Sequence, residues 1–93
     1  MSKKLNDPIN PGEILAEEME FIGINAVTLA ESIGVPNNRI YQILNEERSI
    51  TADTAIRLGL FLGTTPDFWL NLQKSYELDV ARQNCLDYRI FNS

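Results

Sequence analysis

The sequence predicts an all-α protein built from five helices. Glycine, proline and helix-capping residues divide its 93 residues into five segments. Within these segments apolar residues recur at three- and four-residue steps, the spacing of one face of a helix. No repeat, linker or low-complexity tract interrupts the pattern. A chain of this length has room for one hydrophobic core, so we expect a single domain.

The first helix is expected to begin behind Asn10, with Pro11 in its first turn, and to end at Gly23. Residues 1–9 then form a short N-terminal arm. The apolar stripe of this helix consists of Ile14, Leu15, Met19 and Ile22. The glutamates between them fall mostly outside the stripe, which favours a solvated acidic face.

The second helix is expected to follow Asn25 and to run to Ile33, where Gly34 ends it. The third should cover roughly residues 36–45. These two segments make up a predicted helix-turn-helix over residues 26–45. The motif needs a small residue where its helices touch, a left-handed turn between them and apolar anchors. Ala30 and Gly34 meet the first two needs, and the anchors are Leu29, Ile33, Val35, Ile40 and Ile43.

The fourth helix should cover residues 52–62 behind Thr51, and the fifth residues 66 to about 84 behind Thr65, with Gly63 between them. Residues 10–84 then form the domain, and residues 85–93 a C-terminal tail. Apolar residues recur along the fifth helix at Phe68, Trp69, Leu72, Tyr76 and Val80. Two interpretations fit this pattern: the helix contacts a second copy of the chain, or its aromatic residues close the core of the monomer.

The third helix carries one polar and uncharged side. At about 100° per residue, five of its side chains fall within an arc of about 140°. We call this set the polar face; it consists of Asn37, Asn38, Tyr41, Gln42 and Asn45. An ordinary solvent face would favour Glu, Lys, Gln and Arg, because asparagine and tyrosine are weaker helix formers. Amide side chains can bond adenine in pairs, so the polar face suits base reading in the major groove, although a merely exposed helix would also be polar.

Three further residues are candidates for contacts with DNA phosphates. Arg39 lies at the edge of the polar face and Arg48 just beyond the helix, where guanidinium groups could clamp the backbone on either side. Thr28, near the start of the second helix, could add a hydroxyl beside that helix's positive end. Simple exposure of Thr28 is an equally good interpretation.

Composition argues against catalysis, metal or cofactor binding and membrane insertion. The chain has no histidine and one cysteine, Cys85, so neither catalysis, a metal site nor a cofactor is expected. No apolar run is long enough to cross a membrane and no secretory signal is visible, which predicts a cytoplasmic protein. The net charge of -5 opposes indiscriminate DNA binding. Residues 25–50 are nearly neutral, however, with two basic and three acidic side chains.

Four stretches of the chain resemble the HigA/VapI-type antitoxins of the Xre/Cro-like (lambda-repressor-like) helix-turn-helix class. They are Asn10-Pro-Gly-Glu-Ile-Leu-Ala-Glu-Glu-Met, Leu29-Ala-Glu-Ser-Ile-Gly-Val-Pro, Arg48-Ser-Ile-Thr-Ala-Asp-Thr-Ala-Ile-Arg-Leu and Gly63-Thr-Thr-Pro-Asp-Phe-Trp-Leu-Asn-Leu-Gln-Lys-Ser-Tyr-Glu-Leu. The resemblance implies a homodimeric antitoxin that binds a palindromic operator in double-stranded DNA, represses its own operon and binds a HigB-like ribonuclease toxin.

The chain departs from this class at two places that bear on DNA. Ala26 stands where such helices often begin with glutamine, and Glu46 with Glu47 replaces a more usual Gly-Lys pair. Carboxylates beside the polar face should repel phosphate. Two alternatives therefore stay open: a protein-interaction module with a degenerate helix-turn-helix, and a stand-alone regulator without a toxin.

Overall fold

A computed structural model describes the backbone of residues 8–92 and the side chains of residues 8–85. Within this part of the chain there are five helices and no strand, which confirms the predicted fold class. They are α1 (Pro11–Ile22), α2 (Ala26–Ile33), α3 (Asn37–Leu44), α4 (Ala52–Leu62) and α5 (Pro66–Asn92).

Local capping chemistry sets most of the helix boundaries. Four helices begin behind a side chain that accepts a hydrogen bond from a backbone N–H of the first turn: Asn10, Asn25, Thr51 and Thr65. At α1 the cap is reciprocal, because the Glu13 carboxylate accepts a hydrogen bond from the backbone N–H of Asn10. Helices α1, α2 and α4 end at glycines in the left-handed conformation: Gly23, Gly34 and Gly63.

Two predicted boundaries differ from the structure. Helix α3 is shorter by one residue at each end, since Pro36 is its N-cap and Asn45 its C-cap. Helix α5 continues to Asn92, so its predicted end near residue 84 is wrong. No glycine or proline follows residue 84 to stop the helix. Residues 1–7 of the predicted arm, residue 93 and the side chains of residues 86–92 lie outside the described part.

The core lies where α1, α2, α3 and α4 meet the first turns of α5. Helix α2 packs on α3 and α4, α1 packs on α3 and α5, and α4 packs on α5. The predicted anchors contribute to this core, with Leu29 and Ile40 fully buried, whereas Ile22 of the predicted α1 stripe is 43% exposed. Trp69 is fully buried, and its indole Nε1 donates a hydrogen bond of 2.8 Å to the Thr64 hydroxyl. Trp69 thus closes the core of the monomer.

Two glycines allow helices and loops to approach closely. A Cβ atom at Gly12 would collide with the backbone carbonyl oxygen of Ile43, which brings α1 directly against α3. A Cβ atom at Gly59 would lie 2.6 Å from the carbonyl oxygen of Thr64. Neither contact leaves room for a side chain, because both obstacles are backbone atoms.

Candidate nucleic-acid interface

The turn between α2 and α3 has the predicted geometry. Gly34 has a φ of 75°, a conformation that costs glycine little, and its N–H donates to the carbonyl oxygen of Ala30 at 2.9 Å. Ala30 itself is fully buried in the angle between the helices. The small contact residue and the left-handed turn therefore act together to set the direction of α3.

The polar face of α3 lies at the surface. Four of its five side chains are exposed and Gln42 is half-buried, while Ile40 and Ile43 on the opposite side are buried. Tyr41 is 48% exposed. The structure thus brings all five predicted base-reading residues to one uncharged, solvent-accessible side of a short helix. Their contact with bases stays a prediction.

Arg39 does not project freely from the edge of α3. Its Nη1 atom lies 3.6 Å from the Oδ2 atom of Asp53 on α4, and its side chain is 27% exposed. Among the described side chains, the Nε atom of Arg39 is buried without a hydrogen-bond partner. Its predicted role as a phosphate contact therefore has a competitor within the protein, the Asp53 carboxylate.

Asp53 belongs to a small charged network that joins α2, α3 and α4. The same Oδ2 atom accepts a hydrogen bond of 3.0 Å from Arg57 Nε. Arg57 Nη1 donates at 2.8 Å to the backbone carbonyl oxygen of Ile33, one of the last in α2. A cation at a helix C-terminus is favourable, so Arg57 both caps α2 and orients Asp53 toward α3.

Arg48 and Thr28 are both exposed, Thr28 on the first helix of the motif and Arg48 just beyond its second helix. Arg48 Nη1 donates a hydrogen bond of 3.0 Å to Gln42 Oε1 on the polar face. The backbone N–H of Thr28 donates to the Asn25 side chain. The backbone carbonyl oxygen of Thr28 accepts a hydrogen bond from the Ser32 hydroxyl. These bonds hold the backbone of Thr28 in the first turns of α2. Phosphate contacts by either residue stay predictions.

The C-terminus of α3 ends in a Schellman-type turn. The N–H of Glu46 donates to the carbonyl oxygen of Ile43, and the N–H of Glu47 donates to that of Gln42 at 2.8 Å. Glu46 has a φ of 63°, the left-handed conformation that glycine usually supplies at this position. Both carboxylates are exposed at the foot of the polar face.

Gln73 of α5 is a positioning residue that the sequence analysis missed. It is 8% exposed, and its Oε1 accepts a hydrogen bond of 2.9 Å from the backbone N–H of Ile50. Its Nε2 donates to Glu77 at 3.0 Å and to the Ser49 hydroxyl at 3.4 Å. The loop that follows α3 is therefore attached to α5. No sequence signal marks this pairing, because the partners lie 23 residues apart.

The described residues do not indicate metal binding or a membrane span. They contain no group of three His, Cys, Asp or Glu side chains that could hold a metal ion. None of their helices combines the length and the apolar character that a membrane span needs. The arrangement consists instead of an exposed amide surface with guanidinium groups at its margins, which is suited to reading base edges and contacting phosphates.

Comparison with known proteins gives consistent results. A helix-turn-helix family matches residues 22–69. Virulence-associated protein I of Dichelobacter nodosus is 46% identical over 77 residues, which cover 82% of this chain and 71% of that protein. The structure of a HigA-family addiction-module antidote protein from Coxiella burnetii is 52% identical with a TM-score of 0.84, covering 87% of this chain and 89% of the other.

Several similar structures contain DNA. One of them is the antitoxin HigA of Pseudomonas aeruginosa with the higBA promoter, which is 41% identical to this chain with a TM-score of 0.80. The match covers 83% of this chain and 85% of that one.

Proposed function

Because the chain belongs to the helix-turn-helix family that includes the HigA antitoxins and the VapI proteins, we infer that it is a sequence-specific DNA-binding repressor. It is the antitoxin of a HigB/HigA-type toxin-antitoxin module and regulates its own operon. The observation that carries this inference is the exposed, uncharged polar face on the second helix of the motif. The structure of a similar protein, the antitoxin HigA of Pseudomonas aeruginosa with the higBA promoter, supports promoter DNA as the ligand.

The further partners and the mode of action are also part of the proposal. Two copies form a homodimer, so that two α3 helices enter successive major grooves of a palindromic operator. A HigB-like ribonuclease is the toxin partner. The antitoxin acts by binding, without catalysis, in the cytoplasm where its operator lies.

Two observations favour a second candidate, an interaction module that has lost DNA binding. Glu46 and Glu47 place two carboxylates beside the polar face, and Asp53 competes for Arg39. Each of these features lowers the affinity for phosphate. A protein of this kind would bind a toxin but not the promoter.

The test is a titration of the promoter fragment and of a scrambled fragment across a salt series. Two arginines in residues 25–50 of each copy, or four in a dimer, predict a shallow slope of log affinity against log salt, no steeper than about -4. We expect clear preference for the promoter. Equal binding to both fragments would refute base reading, and no binding to either would favour the interaction module.

Asn38→Ala tests the polar face directly. We expect the promoter affinity to fall by about 1 to 3 kcal/mol, with the loss confined to particular base pairs. Asn71→Ala, an exposed asparagine on α5, is the matched control and should bind as the unmodified protein does. Thermal melting of both variants shows whether the fold is intact, since an unfolded Asn38→Ala variant would indicate a structural role.

The toxin is tested separately. If a short basic ribonuclease is encoded beside this gene, co-expression should yield a complex that survives purification. Failure of the two proteins to associate would leave a stand-alone regulator as the better description.

A further inference from the structure

Arg48 and Gln42 form a pair at the margin of the polar face. The guanidinium Nη1 donates to the amide Oε1 at 3.0 Å, across six residues of sequence. Two carboxylates, Glu46 and Glu47, stand much closer to Arg48 in the chain. The hydrogen bond described for Arg48 nevertheless runs to Gln42.

The backbone holds Arg48 in place from both sides. Before it, the N–H of Glu47 donates to the carbonyl oxygen of Gln42 at 2.8 Å. After it, the N–H of Ile50 donates to the buried Gln73 side chain at 2.9 Å. The start of the Arg48 side chain is therefore fixed relative to α3, which lowers the entropy cost of its contact with Gln42.

This contact changes what the Gln42 amide can present to DNA. A glutamine that reads adenine uses both ends of its amide, since Oε1 accepts from N6 and Nε2 donates to N7. In this structure one acceptor direction of Oε1 is already occupied by Arg48. The Nε2 group still has two N–H donors, and the guanidinium adds others next to it.

We propose that Arg48 is a specificity-determining residue, which engages Gln42 Oε1 so that the Arg48–Gln42 pair presents a surface made mainly of hydrogen-bond donors. Such a surface is complementary to guanine, whose N7 and O6 atoms are both acceptors in the major groove. The pair thus favours a G·C base pair over A·T at the operator position that Gln42 faces. This inference rests on the proposed function, because it requires that α3 reads DNA.

The experiment measures the affinity of the protein for a set of operators in which each base pair is changed in turn. We expect Gln42→Ala to lose discrimination at one position per half-site, which identifies the base pair that Gln42 faces. At that position Arg48→Ala should shift the ratio of guanine to adenine affinity toward adenine by about five- to tenfold. In a Gln42→Ala background, Arg48→Ala should no longer change this ratio.

A phosphate clamp predicts a different result. If Arg48 only contacts phosphate, Arg48→Ala weakens all operators equally and, because a dimer loses two arginines, reduces the salt slope by about two, with the base ratio unchanged. That outcome overturns the proposal. If the unmodified protein prefers no operator at all, the proposed function fails instead, so the two failures are distinguishable.

Two controls complete the design. Arg82→Ala removes an equally charged and exposed side chain from α5 and should leave the base ratio unchanged. Without DNA, the side-chain NH₂ resonances of Gln42 should move in the spectrum of Arg48→Ala and not in that of Arg82→Ala. Unmoved Gln42 resonances would show that the pair does not form in solution and would overturn the proposal independently of binding.

Discussion

Glu46 occupies a backbone position that normally favours glycine, at the end of the helix that carries the polar face. Its φ of 63° places an L-residue with a long side chain in the left-handed region. The strain is compatible with the fold because the Schellman hydrogen bonds on both sides of Glu46 hold the turn. The end of α3 is therefore affected both by the backbone conformation of Glu46 and by its negative charge.

We predict that Glu46→Gly raises both stability and DNA affinity. Relief of about 1 to 2 kcal/mol of strain outweighs the entropy cost of glycine, about 0.5 to 1 kcal/mol, so the free energy of unfolding should rise by about 0.5 to 1 kcal/mol. Loss of a carboxylate near phosphate should strengthen promoter binding. Urea unfolding and promoter titration measure the two effects.

Glu47→Gln is the matched control for this change, since it removes an adjacent carboxylate whose residue has no positive φ. It should strengthen promoter binding without raising the free energy of unfolding. If Glu46→Gly stabilises the protein no more than Glu47→Gln does, the strain at Glu46 is not significant.

Gln73 stabilises a loop that lies far from it in the sequence. Gln73→Ala leaves the buried N–H of Ile50 without its partner, and we expect a loss of about 1 to 3 kcal/mol in the free energy of unfolding. Ser75→Ala, an exposed position on the same helix, should change stability by less than about 0.5 kcal/mol. Equal melting temperatures for the two variants would rule out a structural role for the Gln73 amide.

At the scale of elements, the position of α3 depends on direct helix contact. A helix is normally more stable with alanine than with glycine at the same position, by about 1 kcal/mol. At Gly12 we predict the opposite sign, because the added Cβ atom would press on the Ile43 carbonyl and push α1 away from α3. Gly12→Ala should therefore lower the free energy of unfolding by about 1 to 3 kcal/mol.

Ala16→Gly provides the comparison within α1. Ala16 is exposed, so its change to glycine should cost only the intrinsic helix propensity, about 1 kcal/mol. Denaturant unfolding of both variants tests the contact. A stabilised Gly12→Ala protein would show that the helices are free to separate at this point.

The helices were largely predictable because their ends are determined locally. Asn10, Asn25 and Thr51 cap the following turn, and a left-handed glycine follows three of the helices. The end of α5 was not predictable in the same way, since no residue after position 84 stops the helix. Exposure of the polar face also followed from periodicity, because the buried and exposed sides of a short helix alternate regularly.

The pairings at the margin of the site could not be predicted from the sequence. Arg39 contacts Asp53 and Gln73 contacts Ile50, and each pair joins two different elements. Local propensity does not encode which distant side chains meet, since that depends on the packing of the whole core. The sequence therefore predicted which residues belong to the polar face, but not which residues hold it.

At the scale of the whole molecule, the net charge of -5 makes the proposed cooperation between two copies important for DNA binding. A single domain with so few basic groups near α3 should bind weakly, whereas two linked domains gain from effective concentration. We predict that destroying one half of the operator palindrome weakens binding by about 100-fold or more. Titration of full and half operators measures this, with sedimentation analysis to record the oligomeric state.

A protein that binds half operators as tightly as full ones would contradict the dimer. The scrambled full-length operator serves as the control, because it keeps the length and phosphate number of the DNA constant. Its affinity gives the contribution of binding that is independent of sequence.

The hydrogen bond between Gln73 and Ile50 has a consequence for the operator as a whole. It attaches the loop after α3 to the long α5 helix, which limits movement of the polar face relative to α5. In the proposed dimer, the distance between the two α3 helices would then vary little. Such a dimer would select operators by the spacing of their half-sites as well as by their sequence. An operator with one base pair inserted between its half-sites would no longer fit both α3 helices.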